Sequence, residues 1–236
     1  MRAQELQSMP VTSIYFGGGT PSMLNDDELG AIFQVIEVNY QVLPSAEITL
    51  EANPDDISLK KITQLALTPI NRLSIGVQSF FEADLKLMNR AHTAKEALES
   101  LKIAQTYFDN ITIDLLYGMP EMSNLRWEEN LQTAFDLKLN HLSCYALTVE
   151  PKTALAHLIK TAQYPALNDS FTAQHFQTLV NATAKAGFTH YEVCSFGKPG
   201  YFSKHNSSYW LGKPYLGVGP SAHSFDGKKR SWNVSN

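Results

Sequence analysis

Polar residues and glycines recur directly after the apolar, β-branched runs of this sequence. Three such places are Gly17-Gly18-Gly19, Glu51 and Gln78, and a fourth apolar run carries Asp114 within it. Glycine lets the backbone approach a ligand closely, whereas carboxylate and amide groups hold ammonium and hydroxyl groups. One such residue would indicate little, but four successive runs that deliver such residues predict a polar small-molecule site.

Each of these residues also has a structural alternative. The glycine run is not a phosphate-binding loop, because no Lys-Ser or Lys-Thr follows it, and its spacing does not match a dinucleotide fingerprint. It could be a tight turn after a buried strand, and Glu51 a capping or surface carboxylate. Arg90 could hold a carboxylate through two parallel hydrogen bonds, or form a surface ion pair. Asp114 could be a partner in a buried network.

The elements that position these residues alternate between strand and helix patterns. The predicted strands span 11–16, 47–50, 72–77, 110–115, 141–147 and 190–193. The predicted helices span 25–40 (capped by Asn25), a segment after Ser58, 82–88, 94–107, 127–137 and 171–186. This order implies parallel strands with right-handed crossovers, and hence an α/β barrel or partial barrel. Functional groups of such barrels gather at the carboxyl ends of the strands.

Composition narrows the functional class. Apolar residues make up 44% and charged residues 18%, as in ordinary globular proteins, and the net charge of −4 does not favour a nucleic-acid surface. No apolar stretch approaches the roughly 20 residues that cross a bilayer, and the first residues lack the apolar core of a signal peptide. We therefore predict a cytoplasmic location, with neither nucleic acid nor membrane as a partner.

The two cysteines do not form a metal-binding pattern. Cys144 and Cys194 are far apart, and each lies in an apolar stretch. Such thiols are usually small buried hydrophobic residues, and two of them cannot supply the thiolate set of a zinc site or an iron–sulfur cluster. The sequence therefore predicts no ligands in this chain for a zinc ion or an iron–sulfur cluster.

Five segments, in order, resemble one family. They are residues 13–22 (SIYFGGGTPS), 51–54 (EANP), 73–80 (LSIGVQSF), 89–92 (NRAH) and 113–120 (IDLLYGMP). Together they resemble radical S-adenosylmethionine (SAM) enzymes related to the oxygen-independent coproporphyrinogen III oxidase. The resemblance covers most of the chain. It implies a partial radical SAM (β/α) barrel over residues 1–196 and an irregular C-terminal extension over residues 197–236.

The resemblance also implies which residues contact SAM. They are Gly18, Gly19, Thr20, Glu51, Gln78, Arg90, Asp114 and Ala146. Gly18, Gly19 and Thr20 would line the methionyl end, and Arg90 would hold the carboxylate. Glu51, Gln78 and Asp114 would serve the ammonium and the ribose hydroxyls, without a further division among them. Ala146 would lie near the adenine.

Two later segments resemble the HemW-like branch, whose members are implicated as haem chaperones. They are residues 205–210 (HNSSYW) and 215–224 (YLGVGPSAHS). The resemblance implies that His205, Tyr209 and Trp210 bind haem, which would be delivered to target proteins, since imidazole can ligate iron and aromatic rings can pack a macrocycle. Alternatively, these residues attach an irregular loop to the barrel. For His223 a structural role is favoured over that of a second ligand.

One part of the family pattern is missing from the sequence. Radical SAM chemistry uses a [4Fe–4S] cluster held by three cysteines of a CxxxCxxC loop, and no such loop is present. We therefore expect a fragment, with residues 1–9 as the tail of a barrel helix. The cluster would belong to the full-length parent, and the chain alone would be inactive and carry no catalytic residue. A true coproporphyrinogen oxidase and a non-catalytic binding barrel remain as alternatives.

Overall fold

A seven-stranded sheet organises the computed structural model, which describes Glu5 and residues 9–235. The strands are β1 (Val11–Phe16), β2 (Val42–Ala52), β3 (Arg72–Gln78), β4 (Ile111–Tyr117), β5 (His141–Ala146), β6 (Thr189–His190) and β7 (Ser195–Gly197). Their order across the sheet is β1-β2-β3-β4-β5-β7-β6. Strands β1 to β5 are parallel, whereas β7 is antiparallel to both β5 and β6. Among the described strands, β1 pairs with β2 alone.

Eight helices accompany the strands in the described part of the chain. They are α1 (Asp26–Asn39), α2 (Leu59–Leu65), α3 (Glu82–Leu87), α4 (Ala94–Ala104), α5 (Asn124–Asp136), α6 (Ala154–Lys160), α7 (Asp169–Lys185) and α8 (Lys204–Trp210). Asn25 caps α1 in a reciprocal capping box with Glu28, and Ser58 caps α2, as predicted. The alternation of strands and helices confirms the predicted α/β partial barrel.

The hydrophobic core lies between the sheet and its helices. Alternate strand residues such as Leu50, Leu73 and Ile113 are completely buried on this side. Trp127 of α5 is also completely buried, and its indole N–H donates to the carbonyl of His175 on α7 at 2.9 Å. The sheet therefore gains most of its hydrophobic stabilisation from one face.

The opposite face of the sheet, inside the curl of the barrel, is polar. Its buried residues include Glu47, Thr49, Arg72, Ser74, Thr112, His141 and Ser143. The Arg72 guanidinium donates to Asn110 at 2.7 Å, and Thr112 lies 2.6 Å from Nδ1 of His141. Because buried polar groups need partners, this interior is a hydrogen-bonded network rather than a second apolar core.

The predicted parallel strand at residues 190–193 is wrong. Only Thr189–His190 forms a strand there, and the chain turns through the next residues, with Ser195 N–H donating to Glu192 O at 3.3 Å. The carbonyl of Cys194 then accepts the N–H of Cys144 at 2.8 Å. The segment that follows, β7, therefore returns antiparallel to β5.

The extension after residue 196 is more ordered than predicted. It contains α8 and a hairpin of β8 (His223–Phe225) and β9 (Arg230–Trp232). The prediction of an irregular region missed α8, because serine and asparagine are weak helix formers and tertiary contacts stabilise this helix. The expected helix tail at residues 1–9 lies, except for Glu5 and Met9, outside the described residues. No helix in the described part is both long and apolar enough to cross a membrane.

Candidate functional site

The carboxylate of Glu51 is the centre of the polar rim at the carboxyl ends of β1 and β2. Its Oε2 accepts the N–H of Gly18 at 3.0 Å, and its Oε1 accepts the hydroxyl of Tyr15 at 2.8 Å. The glycine loop is thus fastened to the neighbouring strand by a charge-assisted hydrogen bond.

The three glycines of the loop have different roles. A Cβ on Gly17 would lie 2.7 Å from the Tyr15 ring and 3.1 Å from Glu51 Oε1, so this position requires the absence of a side chain. Gly18 and Gly19 instead have φ values of +74° and +60°, which favour glycine, and a Cβ on either would meet nothing within 4 Å. Their backbone therefore faces open space. Thr20 follows at the start of a short 3-10 turn.

Arg90 lies at the same rim, beside β2 and β3. Its Nη2 donates to Asn53 Oδ1 at 3.0 Å and to the carbonyl of Gly76 at 3.1 Å. A Cβ on Gly76 would lie 3.1 Å from both Arg90 Nη2 and Gln78 Nε2, so this glycine makes room for both side chains. The site prediction missed Asn53 and Gly76. Their signals were an amide two residues after Glu51 and a glycine within a strand.

Gln78 ends β3 in an unusual backbone conformation. Its φ is +68°, and the register between β3 and β4 shifts between Ile75 and Gln78. A left-handed conformation is unfavourable for a residue with a Cβ and often marks a functional site. Because of this distortion, the side chain of Gln78 does not have to follow the regular alternation of side chains along β3.

A cavity of about 100 Å³ lies under the rim, inside the barrel. Its lining includes Tyr15, Thr49, Glu51, Arg72 and Asp114. Burial, followed by the nearby Glu51 carboxylate, raises the pKa of Asp114 to about 7, although Arg72 and Arg90 oppose the shift. The buried hydroxyl oxygen of Thr49 has no hydrogen-bond partner. The cavity is therefore polar, but it is too small for a ligand of ordinary size.

A larger hollow of about 300 Å³ lies at the other end of the barrel. It is lined by residues that precede β4 and β5, among them Tyr107, Asp109 and Asn140. These are the amino-terminal ends of the strands, whereas parallel barrels carry their sites at the carboxyl ends. We therefore place the candidate site at the polar rim despite its smaller cavity.

Ala146 ends β5, opposite Tyr117 of β4. Its side chain packs against the hydrophobic core, whereas the preceding Tyr145 lines the polar cavity. Near the rim, Ala146 can therefore contact a ligand through its backbone rather than through its methyl group.

His205 lies in the first turn of α8, and its side chain contacts several groups. Its Nδ1 lies 3.0 Å from Ser13 Oγ, its Nε2 lies 3.1 Å from the Tyr209 hydroxyl, and its ring stacks on Tyr15 at 4.8 Å between centroids. Burial lowers the pKa of His205, with partial opposition from Glu47. The imidazole is therefore neutral at pH 7.

The other two predicted haem residues are more exposed. Tyr209 is 45% and Trp210 is 64% exposed, and the Trp210 indole donates to Glu192 at 3.2 Å. The Tyr209 ring also packs edge-on against Tyr215, with 4.7 Å between centroids. The C-terminal turn of α8 thus presents aromatic surface beside the held imidazole of His205.

The comparisons with known proteins agree with this architecture. The model of the radical SAM superfamily matches residues 1–134, and the chain therefore belongs to that superfamily. Within it, the chain is 34% identical over 226 residues to heme chaperone HemW of Lactococcus lactis, covering 94% of this chain and 60% of the relative. It is 36% identical over 214 residues to the mitochondrial radical S-adenosyl methionine domain-containing protein 1 of Bos taurus, covering 90% of this chain and 48% of the relative.

Among solved structures, the chain is similar to the coproporphyrinogen III oxidase HemN of Escherichia coli. The TM-score is 0.83 at 25% identity, covering 100% of this chain and 57% of that one. The chain thus spans about 60% or less of the length of these relatives. The predicted membership of the radical SAM superfamily is confirmed, and the chain is similar in sequence to HemW and in structure to HemN.

Membership of the family implies SAM and a [4Fe–4S] cluster, and the residues present fit the two groups differently. The rim has what SAM needs, since open glycine backbone, carboxylates and an anchored guanidinium converge there. The cluster does not fit these residues. The sequence has two cysteines, and no group of three His, Cys, Asp or Glu side chains within the described ranges could hold a metal ion.

Proposed function

We propose that the rim at the carboxyl ends of β1–β4 binds SAM. The observation that carries this proposal is the Glu51 carboxylate, which joins the open glycine backbone to the strand ends. Arg90 would bind the SAM carboxylate, because Asn53 and Gly76 already orient its guanidinium. The remaining contacts would come from Gly18, Gly19, Thr20, Glu51, Gln78, Asp114 and the backbone of Ala146.

We further propose that the chain is the SAM-binding part of a HemW-like protein that binds haem for delivery. The relatives named heme chaperone support this proposal, as does the position of His205, Tyr209 and Trp210 on α8. A neutral imidazole is the form that ligates iron, and exposed aromatic rings can cover a porphyrin face. Ligation through Nε2 requires His205 to exchange the Tyr209 hydroxyl for iron.

Two titrations of the 236-residue chain test these proposals. Calorimetry should detect SAM binding that weakens strongly in Arg90→Lys, because lysine keeps the charge but loses the planar fork. Haem titration followed by Soret absorbance should detect binding that is lost in His205→Ala. The exposed His157 of α6 provides the control, since His157→Ala removes an imidazole far along the chain from α8. Haem binding that is equal in both variants would contradict the assignment of His205.

The similarity to HemN supports an oxidase as the second candidate. A longer parent that carries the cluster cysteines would then convert two propionates of coproporphyrinogen III to vinyl groups and CO₂, in an anaerobic assay that supplies SAM, a reductant for the cluster and an electron acceptor. Such turnover would favour the oxidase, whereas haem binding without turnover would favour the chaperone. SAM binding with neither property would indicate a non-catalytic binding barrel.

A further inference from the structure

A short line of contacts joins the glycine loop to the ring of His205. The N–H of Gly18 and the hydroxyl of Tyr15 bind the two oxygens of the same Glu51 carboxylate, at 3.0 and 2.8 Å. The Tyr15 ring then stacks on His205, with 4.8 Å between centroids and 25° between planes. The two candidate ligand sites therefore meet through one side chain.

The Tyr15 hydroxyl has an alternative position, away from Glu51 and within the barrel. It lines the polar cavity of about 100 Å³, together with the unpartnered hydroxyl of Thr49. Ser74 lines the same cavity. Burial raises the pKa of Tyr15, and the Ser74 side chain opposes the rise as a hydrogen-bonding neighbour, so the group remains a hydroxyl at neutral pH. If the Tyr15 hydroxyl left Glu51, it would therefore not remain buried without a hydrogen-bond partner.

His205 can in turn respond to movement of the ring beneath it. Its ring contacts the Tyr15 ring, the Ser13 hydroxyl, and both the hydroxyl and the ring of Tyr209. The N-terminus of α8 is fixed independently, because Glu47 accepts the N–H groups of Lys204 and His205 at 2.9 Å each. A shift of Tyr15 would thus alter the surroundings of the imidazole without releasing the helix.

We propose that Tyr15 is a positioning residue that couples ligand binding at Glu51 to the hydrogen bonding of His205. This inference rests on the proposed SAM site. An ammonium or ribose hydroxyl that binds Glu51 competes with the Tyr15 hydroxyl for the carboxylate. The hydroxyl then turns towards Ser74 and the cavity, and its ring moves against the imidazole. By linkage, SAM and a ligand of His205 change each other's affinity by the same factor.

Nuclear magnetic resonance of the imidazole groups tests the coupling without haem. The His205 signals of the 236-residue chain are assigned by comparison with His205→Gln and are followed while SAM is added to saturation. We expect them to shift in the wild type. In Tyr15→Phe, which keeps the ring but removes the hydroxyl, the shift should be lost although calorimetry still detects SAM.

Tyr145→Phe is the matched control, because Tyr145 lines the same cavity. This variant should keep the response of His205 to SAM. Ser74→Ala is a second variant that leaves Tyr15 intact. It should weaken the response, because it removes the alternative partner of the Tyr15 hydroxyl. Haem affinity measured with and without SAM should differ by about fivefold or more in the wild type and by less in Tyr15→Phe.

The possible failures are distinguishable. If SAM binds but the His205 signals do not move, or move equally in Tyr15→Phe, the coupling is refuted and the SAM site stands. If calorimetry detects no SAM binding to the wild-type chain, both the SAM site and the coupling are refuted.

Discussion

Replacing Glu47 by glutamine should loosen α8 from the barrel while leaving the sheet intact. Glu47 is 4% exposed and lies on the polar inner face of β2. Its carboxylate accepts the Ser203 hydroxyl at 3.2 Å and the N–H groups of Lys204 and His205 at 2.9 Å each. These last two are donors of the first turn of α8, which have no partner within the helix.

The size of the effect follows from these three bonds. Glutamine keeps one acceptor oxygen and puts an NH₂ group in place of the other, so at least one buried donor loses its partner. That loss costs about 1–3 kcal/mol, and the remaining bonds weaken by about 1 kcal/mol when the charge is removed. The free energy that holds α8 closed should therefore fall by about 2–4 kcal/mol. At 1.4 kcal/mol per tenfold, opening becomes about 30- to 700-fold more frequent.

Native-state amide hydrogen exchange measures this opening directly. The amides of Lys204 and His205 should exchange faster in Glu47→Gln by that factor, whereas amides of β4 should keep their protection. Glu37→Gln, on the exposed face of α1, is the matched control and should change neither. Unchanged exchange at Lys204 and His205 in Glu47→Gln would show that the carboxylate does not anchor the helix. An equal loss of protection in β4 would show that α8 does not open separately.

Three further outcomes follow from the rim and the core. Gly76→Ala should weaken SAM binding by about tenfold or more in calorimetry, because its Cβ would lie 3.1 Å from Arg90 Nη2 and displace the guanidinium. The pKa of Asp114 is raised from 3.8 to about 7, so between these pH values the folded state holds a proton that the unfolded state has lost. The free energy of unfolding should therefore fall by about 4 kcal/mol as the pH rises from about 4 to about 7. Asp114→Asn should flatten that part of the urea-unfolding profile. Trp127→Phe should lower the free energy of unfolding by about 2–3 kcal/mol, because it leaves a void and removes the indole hydrogen bond to the His175 carbonyl.

Each of these outcomes has a result that would contradict it. SAM affinity equal to wild type in Gly76→Ala would show that Arg90 does not bind the ligand. A stability that rises between pH 4 and pH 7 by the same amount in the wild type and in Asp114→Asn would show that Asp114 is ionised in the fold. Wild-type stability in Trp127→Phe would show that the indole hydrogen bond and the volume of the ring contribute little.

The parts of the fold that follow from local signals could be predicted from the sequence. Apolar β-branched runs fixed the places of β1 to β5, and the capping residues Asn25 and Ser58 marked the starts of two helices. The rim residues Glu51 and Gln78 could be placed because parallel strands deliver their carboxyl ends to one edge. These features depend on neighbours in sequence or on one general rule of topology.

The features that were missed depend on distant partners. The antiparallel return of β7 depends on a backbone bond between Cys144 and Cys194, which no periodicity encodes. Likewise, α8 forms where Ser203 and the distant Glu47 satisfy its first N–H groups. Asn53 entered the site only because the Arg90 guanidinium reaches across to it. Sequence patterns predicted the elements, but not these pairings between them.

The position of β1 at the edge of the sheet has a consequence for the behaviour of the chain in solution. Among the described strands, β1 has a partner on one side only, and such an edge presents a row of backbone groups that can pair with another strand. The run Val11–Phe16 carries neither lysine nor an internal proline to discourage such pairing. We therefore expect the 236-residue chain to self-associate as its concentration rises, and a lysine at the exposed Thr12 to keep it monodisperse.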